Sequence, residues 1–189
     1  MEKFLSILNR NLSLTTKIII IVAAVLVLTG ADLGVKQTVK QNLGTRKVIT
    51  VVPNFWYFSY TQNDDIGFSL LRSVTSGLGK TQKWVLILCL QGICAILAII
   101  FYMYCKQLKY LVPLSLIICG ALGNWIDRLI WGNVTDYVEW HFKFLHMSLF
   151  NPWPIFNLAD VYNVCGGVIL LIVMIFFSAT PKRLPGEDF

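Results

Sequence analysis

The stretch Trp84–Tyr104, WVLILCLQGICAILAIIFYMY, runs without one charged side chain. A helix needs about 20 mostly apolar residues to cross the hydrocarbon of a bilayer, where every backbone N–H and C=O must be paired within its own segment. The stretch therefore reads as a transmembrane helix, and its neighbours repeat the pattern. Ile18–Gly34 precedes it; Tyr110–Ile130 and Val161–Ser178 follow. The 189 residues are 56% hydrophobic and 14% charged, with a mean hydropathy of +0.66, too apolar for a water-soluble domain of this length. The expectation is an integral membrane, mainly α protein: a four transmembrane helix bundle forming a single domain over 1–189, with spans 18–34, 84–104, 110–130 and 161–178. A small extracytoplasmic β-sheet and surface loops at 35–83 and 131–160 complete it.

Lys17–Ala31 has the basic start and apolar middle of a cleavable signal peptide, but no small-x-small cleavage site follows, so it is read as the first span. The cysteines Cys89, Cys94, Cys105, Cys119 and Cys165 all lie in or beside apolar stretches and have no metal-binding or haem spacing; they read as packing residues. The net charge of +6 comes from basic residues scattered over termini and loops, which suits a membrane surface and not nucleic acid. Four spans put both termini on one side. Lys3, Arg10, Lys17, Lys106, Lys109, Lys182 and Arg183 mark that side as cytoplasmic, although the first loop also carries Lys36, Lys40, Arg46, Lys47, Arg72, Lys80 and Lys83. Short connections weigh more than long loops in this comparison. Phe4, Ile7 and Leu8 suit a short amphipathic helix along the inner surface.

In the first loop, 47–52 and 55–60 are β-branched or aromatic runs split by Pro53-Asn54, the pattern of a hairpin. The second loop, with Trp140, Phe142, Phe144 and Phe150 through Pro154, reads as irregular chain in the headgroup zone.

Ionisable side chains within or beside apolar spans are costly unless paired, so each is a functional candidate. Asp32 and Lys36 are four apart at the end of span one, either as an interfacial ion pair that ends the helix or as part of a site. Asn124 and Asp127 share a face near the end of span three, where Arg128 offers Asp127 a charge partner. Asp136 follows Gly132, which suits a helix C-cap. Asn157, Asp160 and Asn163 recur every three residues at the start of span four, where Asn157 could be an N-cap and Asp160 a first-turn acid. Consecutive antiparallel spans bring Asp136 and Asp160 to one membrane face. Two carboxyls at one site cannot both ionise cheaply; sharing a proton, one serves as base toward water and the other as acid toward a scissile carbonyl. His141 and His146 lack a zinc-protease spacing, no Ser or Cys has an evident base, and no metal or cofactor is expected. A transporter would need polar groups through the membrane depth, whereas span two offers only Gln91. A scaffold that used its polar residues for helix association alone would tolerate loss of either aspartate.

Gly120-Ala-Leu-Gly-Asn124-Trp-Ile-Asp127-Arg128, then Gly132-x-Val-x-Asp136-Tyr137, then Phe156-Asn157-Leu-Ala159-Asp160 resemble the ordered signature blocks of lipoprotein signal peptidases (signal peptidase II). Asp32-x-x-x-Lys36 and Asn63 extend the likeness. The resemblance implies a membrane aspartyl endopeptidase that cuts diacylglyceryl-modified prolipoproteins before the lipidated cysteine, with Asp136 and Asp160 catalytic. Asp32, Lys36, Asn63, Asn124, Asp127, Arg128, Asn157 and Ala159 would bind substrate or support the pair. It also implies a monomer in the bacterial cytoplasmic (inner) membrane, in contact with membrane lipids, with its site near the extracytoplasmic surface. Two departures stand out: Asn63-Asp64-Asp65-Ile66-Gly67-Phe68 replaces the family's Asn-x-Gly-Ala-Ala-Phe, and Thr135 and Tyr137 stand where Val and Phe are usual.

Overall fold

The computed structural model describes residues 6–44, 47–64, 77–142 and 153–177. Lys3, Phe4, Arg46, Arg72, Phe144, His146, Lys182, Arg183, the Asp65–Phe68 run and residues 150–152 lie outside them. Among the described residues four helices are long and apolar enough to cross a membrane: α1 (Leu14–Asn42), α2 (Lys80–Tyr104), α3 (Leu108–Trp131) and α4 (Leu158–Phe176). A three-stranded sheet is built from β1 (Ile49–Val52) and β2 (Trp56–Asn63), between α1 and α2, and β3 (Val134–Trp140), between α3 and α4.

The bundle is apolar on its outside. Ile19, Leu26, Ile96, Leu97, Val168 and Ile175 all face outward, the distribution a lipid solvent selects. The third helix is central: more than half of its apolar stretch is buried, against less than a fifth for each of the other three. Tyr102, Leu111, Leu114 and Ile118 form the core between α2 and α3.

Helix α1 runs past the expected end at Gly34 to Asn42. A hydropathy reading stops where the apolar run stops. The chain remains helical because Asp32, Lys36 and Val39 are buried along one face. A single π turn, Val25–Thr29, interrupts α1 before these residues. Such a turn rotates the following face of the helix, here bringing Thr29 to donate to the Cys119 carbonyl of α3 at 3.2 Å.

At one end of the bundle β1 and β2 form the hairpin expected at Pro53-Asn54, with Asn54 at φ 63. Strand β3 replaces the irregular chain expected there. Its Val134, Thr135, Tyr137, Val138 and Trp140 are strand-forming residues, and pairing with β2 satisfies a backbone edge that would otherwise be bare. The far edge of β3 is closed by the main chain of Phe156: its carbonyl accepts from Tyr137 (3.1 Å) and Val138 (2.8 Å), and its N–H donates to Val138 (3.0 Å). Asn157 and α4 begin at that point.

At the opposite end, two lysines of the charge comparison are buried. Lys17 donates to the carbonyls of Met103 and Cys105, the last turn of α2. Lys109 donates to Phe177 at the end of α4 (2.7 Å) and to Asn9 (2.8 Å). Both satisfy carbonyls that a helix C-terminus leaves without partners.

Candidate active site

Helix α3 ends at Gly132, whose φ of 77 is a left-handed conformation that costs glycine nothing, and whose N–H closes the last turn on Arg128 at 2.9 Å. The turn leads into β3. Asp127 accepts the Thr135 N–H at 2.6 Å, fixing the strand just before Asp136. The antiparallel register sets Asn63 opposite Val134 and Thr61 opposite Asp136. Asn63 then donates its side-chain amide to Asp136 Oδ2 at 2.8 Å.

Asn157 joins the two aspartates. Its Oδ1 accepts the Asp160 N–H (3.0 Å), and its own N–H donates to Asp160 Oδ2 (3.1 Å), a reciprocal cap at the start of α4. Its Nδ2 donates to Asp136 Oδ1 (2.7 Å) and to Asn124 Oδ1 (3.1 Å). The N-cap reading of Asn157 is correct, and the same residue reaches both carboxyls, Asp136 through its side-chain amide and Asp160 through its main-chain N–H. Asn124 completes the link by donating to Asp160 Oδ1 at 2.8 Å.

Beneath this pair lies a charged layer. Lys36 contacts Asp32 (2.8 Å) and donates to Asn124 Oδ1 (2.8 Å). Asp32 is 0% exposed, so the pair is internal and mid-helix, not an interfacial terminus. Asp32 also accepts the Ala159 N–H at 3.0 Å, one of the donors that a helix start leaves over. Gly123 makes this possible: a Cβ there would come within 2.5 Å of Asp32 Oδ2. The partner suggested for Asp127 was Arg128; the ion pair is with Lys40 at 2.7 Å, with Lys36 farther at 3.9 Å. Arg128, buried at 4% exposure, donates to Gln91 Oε1 at 3.1 Å, which accounts for the amide near the middle of α2.

All the residues singled out by motif thus meet at one end of the bundle. Asp136 and Asp160 share Asn157; Asn63, Asn124 and Asn157 donate to them; Asp32, Lys36, Asp127 and Arg128 lie beneath; Ala159 supplies its N–H. Sequence reading missed Lys40, which it placed in a loop, and Tyr137, whose hydroxyl accepts the Leu158 N–H at 3.2 Å. The signal for Tyr137 was present: it stands where the family has Phe, and the extra oxygen satisfies another donor at the start of α4.

Burial, and after it repulsion from Asp160, pushes the Asp136 carboxyl up to about 7, against the pull of Asn63, Asn157 and Lys36. Burial, then the charge of Asp32, raises the Tyr137 hydroxyl, which stays protonated. Beside Asp160 opens an apolar cleft of about 360 Å³, walled by Trp140, Phe142, Trp153, Phe156, Val161, Val164 and Cys165.

A lipid-facing helical bundle with two carboxyls joined through one asparagine defines an integral membrane protein equipped for acid–base hydrolysis. Comparisons with known proteins agree. The family model described as "Signal peptidase (SPase) II" matches residues 15–177. The lipoprotein signal peptidase of Shewanella loihica is 36% identical over 160 residues, 84% of this chain and 85% of that protein. That of Xanthomonas axonopodis pv. citri is 32% identical over 158 residues, 83% and 86% of the two chains. That of Streptococcus thermophilus is 32% identical over 154 residues, 80% and 89%. The chain belongs to the signal peptidase II family. In fold it is similar to a bacterial membrane enzyme solved by the in meso method at 2.3 Å resolution, with a TM-score of 0.68 at 24% identity, covering 96% of this chain and 98% of that one.

Proposed function

We propose that Asp136 and Asp160 are the catalytic carboxyls with which this peptidase removes signal peptides from prolipoproteins, cutting before a diacylglyceryl-modified cysteine. The observation that carries the reading is the single asparagine, Asn157, bonded to both side chains. The two carboxyls share one proton. Asp136, raised by burial, carries that proton near neutral pH. Asp160 takes a proton from water as the oxygen attacks the scissile carbonyl carbon, and Asp136 gives its proton to the carbonyl oxygen. Collapse of the tetrahedral intermediate breaks the C–N bond, the proton on Asp160 passing to the departing amine and one hydroxyl proton returning to Asp136 as the carbonyl re-forms. Asn63, Asn124 and Asn157 orient the carboxyls, and the buried Lys36 offsets their charge.

The apolar cleft beside Asp160 receives the apolar part of the precursor next to the cut. Acyl chains left in the bilayer beside the bundle bring the cysteine to the right depth, so binding energy remote from the bond positions it. The enzyme works as a monomer among the lipids of the bacterial inner membrane, with both termini cytoplasmic and the site at the extracytoplasmic end.

The test is cleavage of a diacylglyceryl-modified prolipoprotein by the protein reconstituted in lipid, followed by the mass of the products. Asp136→Asn and Asp160→Asn should each abolish cleavage while leaving the fold intact. Cleavage surviving either substitution would remove that carboxyl from the mechanism.

A further inference from the structure

Lys40 is absent from the signature blocks, yet it touches the machinery through Asp127. Its ammonium lies 2.7 Å from Asp127 Oδ1 and 4.4 Å from the centre of the Trp131 ring, so an ion pair and a cation–π contact fix one position. A cavity of about 260 Å³ bounded by Leu33, Lys36, Gln37, Asp127, Ile130 and Trp131 leaves the lysine side chain 14% exposed and that of Asp127 2% exposed. The other oxygen of Asp127 holds the Thr135 N–H, one residue before Asp136.

We propose that Lys40 is a positioning residue of the cleavage reaction: by neutralising Asp127 it holds β3 in place and leaves Lys36 to Asp32 and Asn124. This rests on the reading of Asp136 and Asp160 as the catalytic pair.

The charges explain why one lysine is not enough. Asp32 and Asp127 are both buried and stand against Lys36 and Lys40, while the buried Arg128 interacts electrostatically with Asp136 and Asp160. Among the described residues two further ion pairs lie at this end: Glu139 of β3 with His141 at 2.7 Å, and Lys83 with Asp64 at 3.5 Å. Lys36 already serves Asp32 and Asn124 and sits only 3.9 Å from Asp127. Without Lys40, Asp127 is a buried charge that loses its 2.7 Å partner and draws Lys36, now 3.9 Å away, toward itself. Asn124 then loses the ammonium on its oxygen, and its donation to Asp160 loses its anchor.

The experiment compares wild type, Lys40→Met, Lys40→Gln and Lys40→Arg in lipid, measuring kcat, KM, the pH dependence of kcat and the melting temperature. The neutral variants should lose about tenfold in kcat, equivalent to about 1.4 kcal/mol of transition-state stabilisation. Their KM should stay within about twofold of wild type, as expected for an interaction that acts on the chemical step. Loss of a positive charge should also move the alkaline limb of kcat to higher pH, because the shared proton is then held more tightly. Lys40→Arg should restore most of kcat and the wild-type limb. A neutral variant that melts earlier but keeps wild-type kcat and pH limb would overturn the proposal, as would Lys40→Arg being as impaired as Lys40→Met. Should Lys40→Met fail to fold, Lys40→Gln, which keeps a donor to Asp127 without the charge, decides by the same criteria. Cleavage by Asp136→Asn would refute the catalytic reading itself, independently of any Lys40 result.

Discussion

Asn157 performs two tasks that can be separated by substitution. Its Oδ1 caps α4 through the Asp160 N–H at 3.0 Å, and its Nδ2 donates to Asp136 at 2.7 Å. Serine caps a helix about as well as asparagine but has no amide to reach Asp136; alanine does neither. Loss of the cap costs about 1 kcal/mol. Loss of a hydrogen bond to a carboxylate costs the charged form about 1.5–3 kcal/mol, which raises the pKa by about 1–2 units at 1.36 kcal/mol per unit. Asp136 begins at about 7. In Asn157→Ser the alkaline limb of kcat, where the pair loses its last proton, should therefore move to about 8–9. The plateau rate should fall because Asp136 is less well oriented. The assay is the pH–rate profile of lipidated-precursor cleavage for wild type, Asn157→Ser and Asn157→Ala, beside their melting curves. Asn157→Ser should melt close to wild type and above Asn157→Ala while sharing the shifted limb. An unmoved limb in both variants, or equal destabilisation of the two, would refute the division of labour.

The folded state holds on Asp136 a proton that the unfolded chain releases above about 3.8, so stability should fall as pH rises from about 4 to about 7 and level off beyond. The span between the two values corresponds to roughly 4 kcal/mol at 1.36 kcal/mol per unit. In Asp136→Asn that slope should disappear and the protein should melt above wild type at pH 8; lower melting there would contradict the reasoning. Tyr137→Phe should cost about 1–2 kcal/mol by leaving the Leu158 N–H without its acceptor, with little change in kcat, as measured by thermal or denaturant unfolding. Val164→Trp should fill the apolar cleft beside Asp160 and raise KM roughly tenfold, a loss of about 1.4 kcal/mol in substrate binding, with kcat nearly retained. An unchanged KM would mean that the precursor does not use this cleft.

Much of the molecule is legible in the order of its residues, because a bilayer imposes a length and a polarity that need no tertiary context. The apolar run Trp84–Tyr104 is a membrane helix wherever it packs, Pro53-Asn54 turns a hairpin, and Gly132 ends α3. The polar residues stood out for the same reason: in so apolar a chain Asp32, Asn124, Asp127, Asp136, Asn157 and Asp160 must answer to one another or to a substrate.

What sequence could not decide is which polar residue answers to which. Adjacency offered Arg128 to Asp127, but neighbours along a helix point apart, and Lys40 reaches it from another helix. Lys40 itself looked like a loop residue, since hydropathy falls at Asp32 while helix α1 continues to Asn42 on the strength of partners in α3 and β3. The third strand also escaped notice, because its reason to exist is the open edge of β2 and the main chain of Phe156, both distant in sequence. The chain alone determined that this is a four-helix membrane protein with two outlying carboxylates. Only the packing of α1, α3, α4 and β3 decided that both carboxylates meet at one asparagine, since the hydrogen bonds and ion pairs that hold them span residues far apart in the chain.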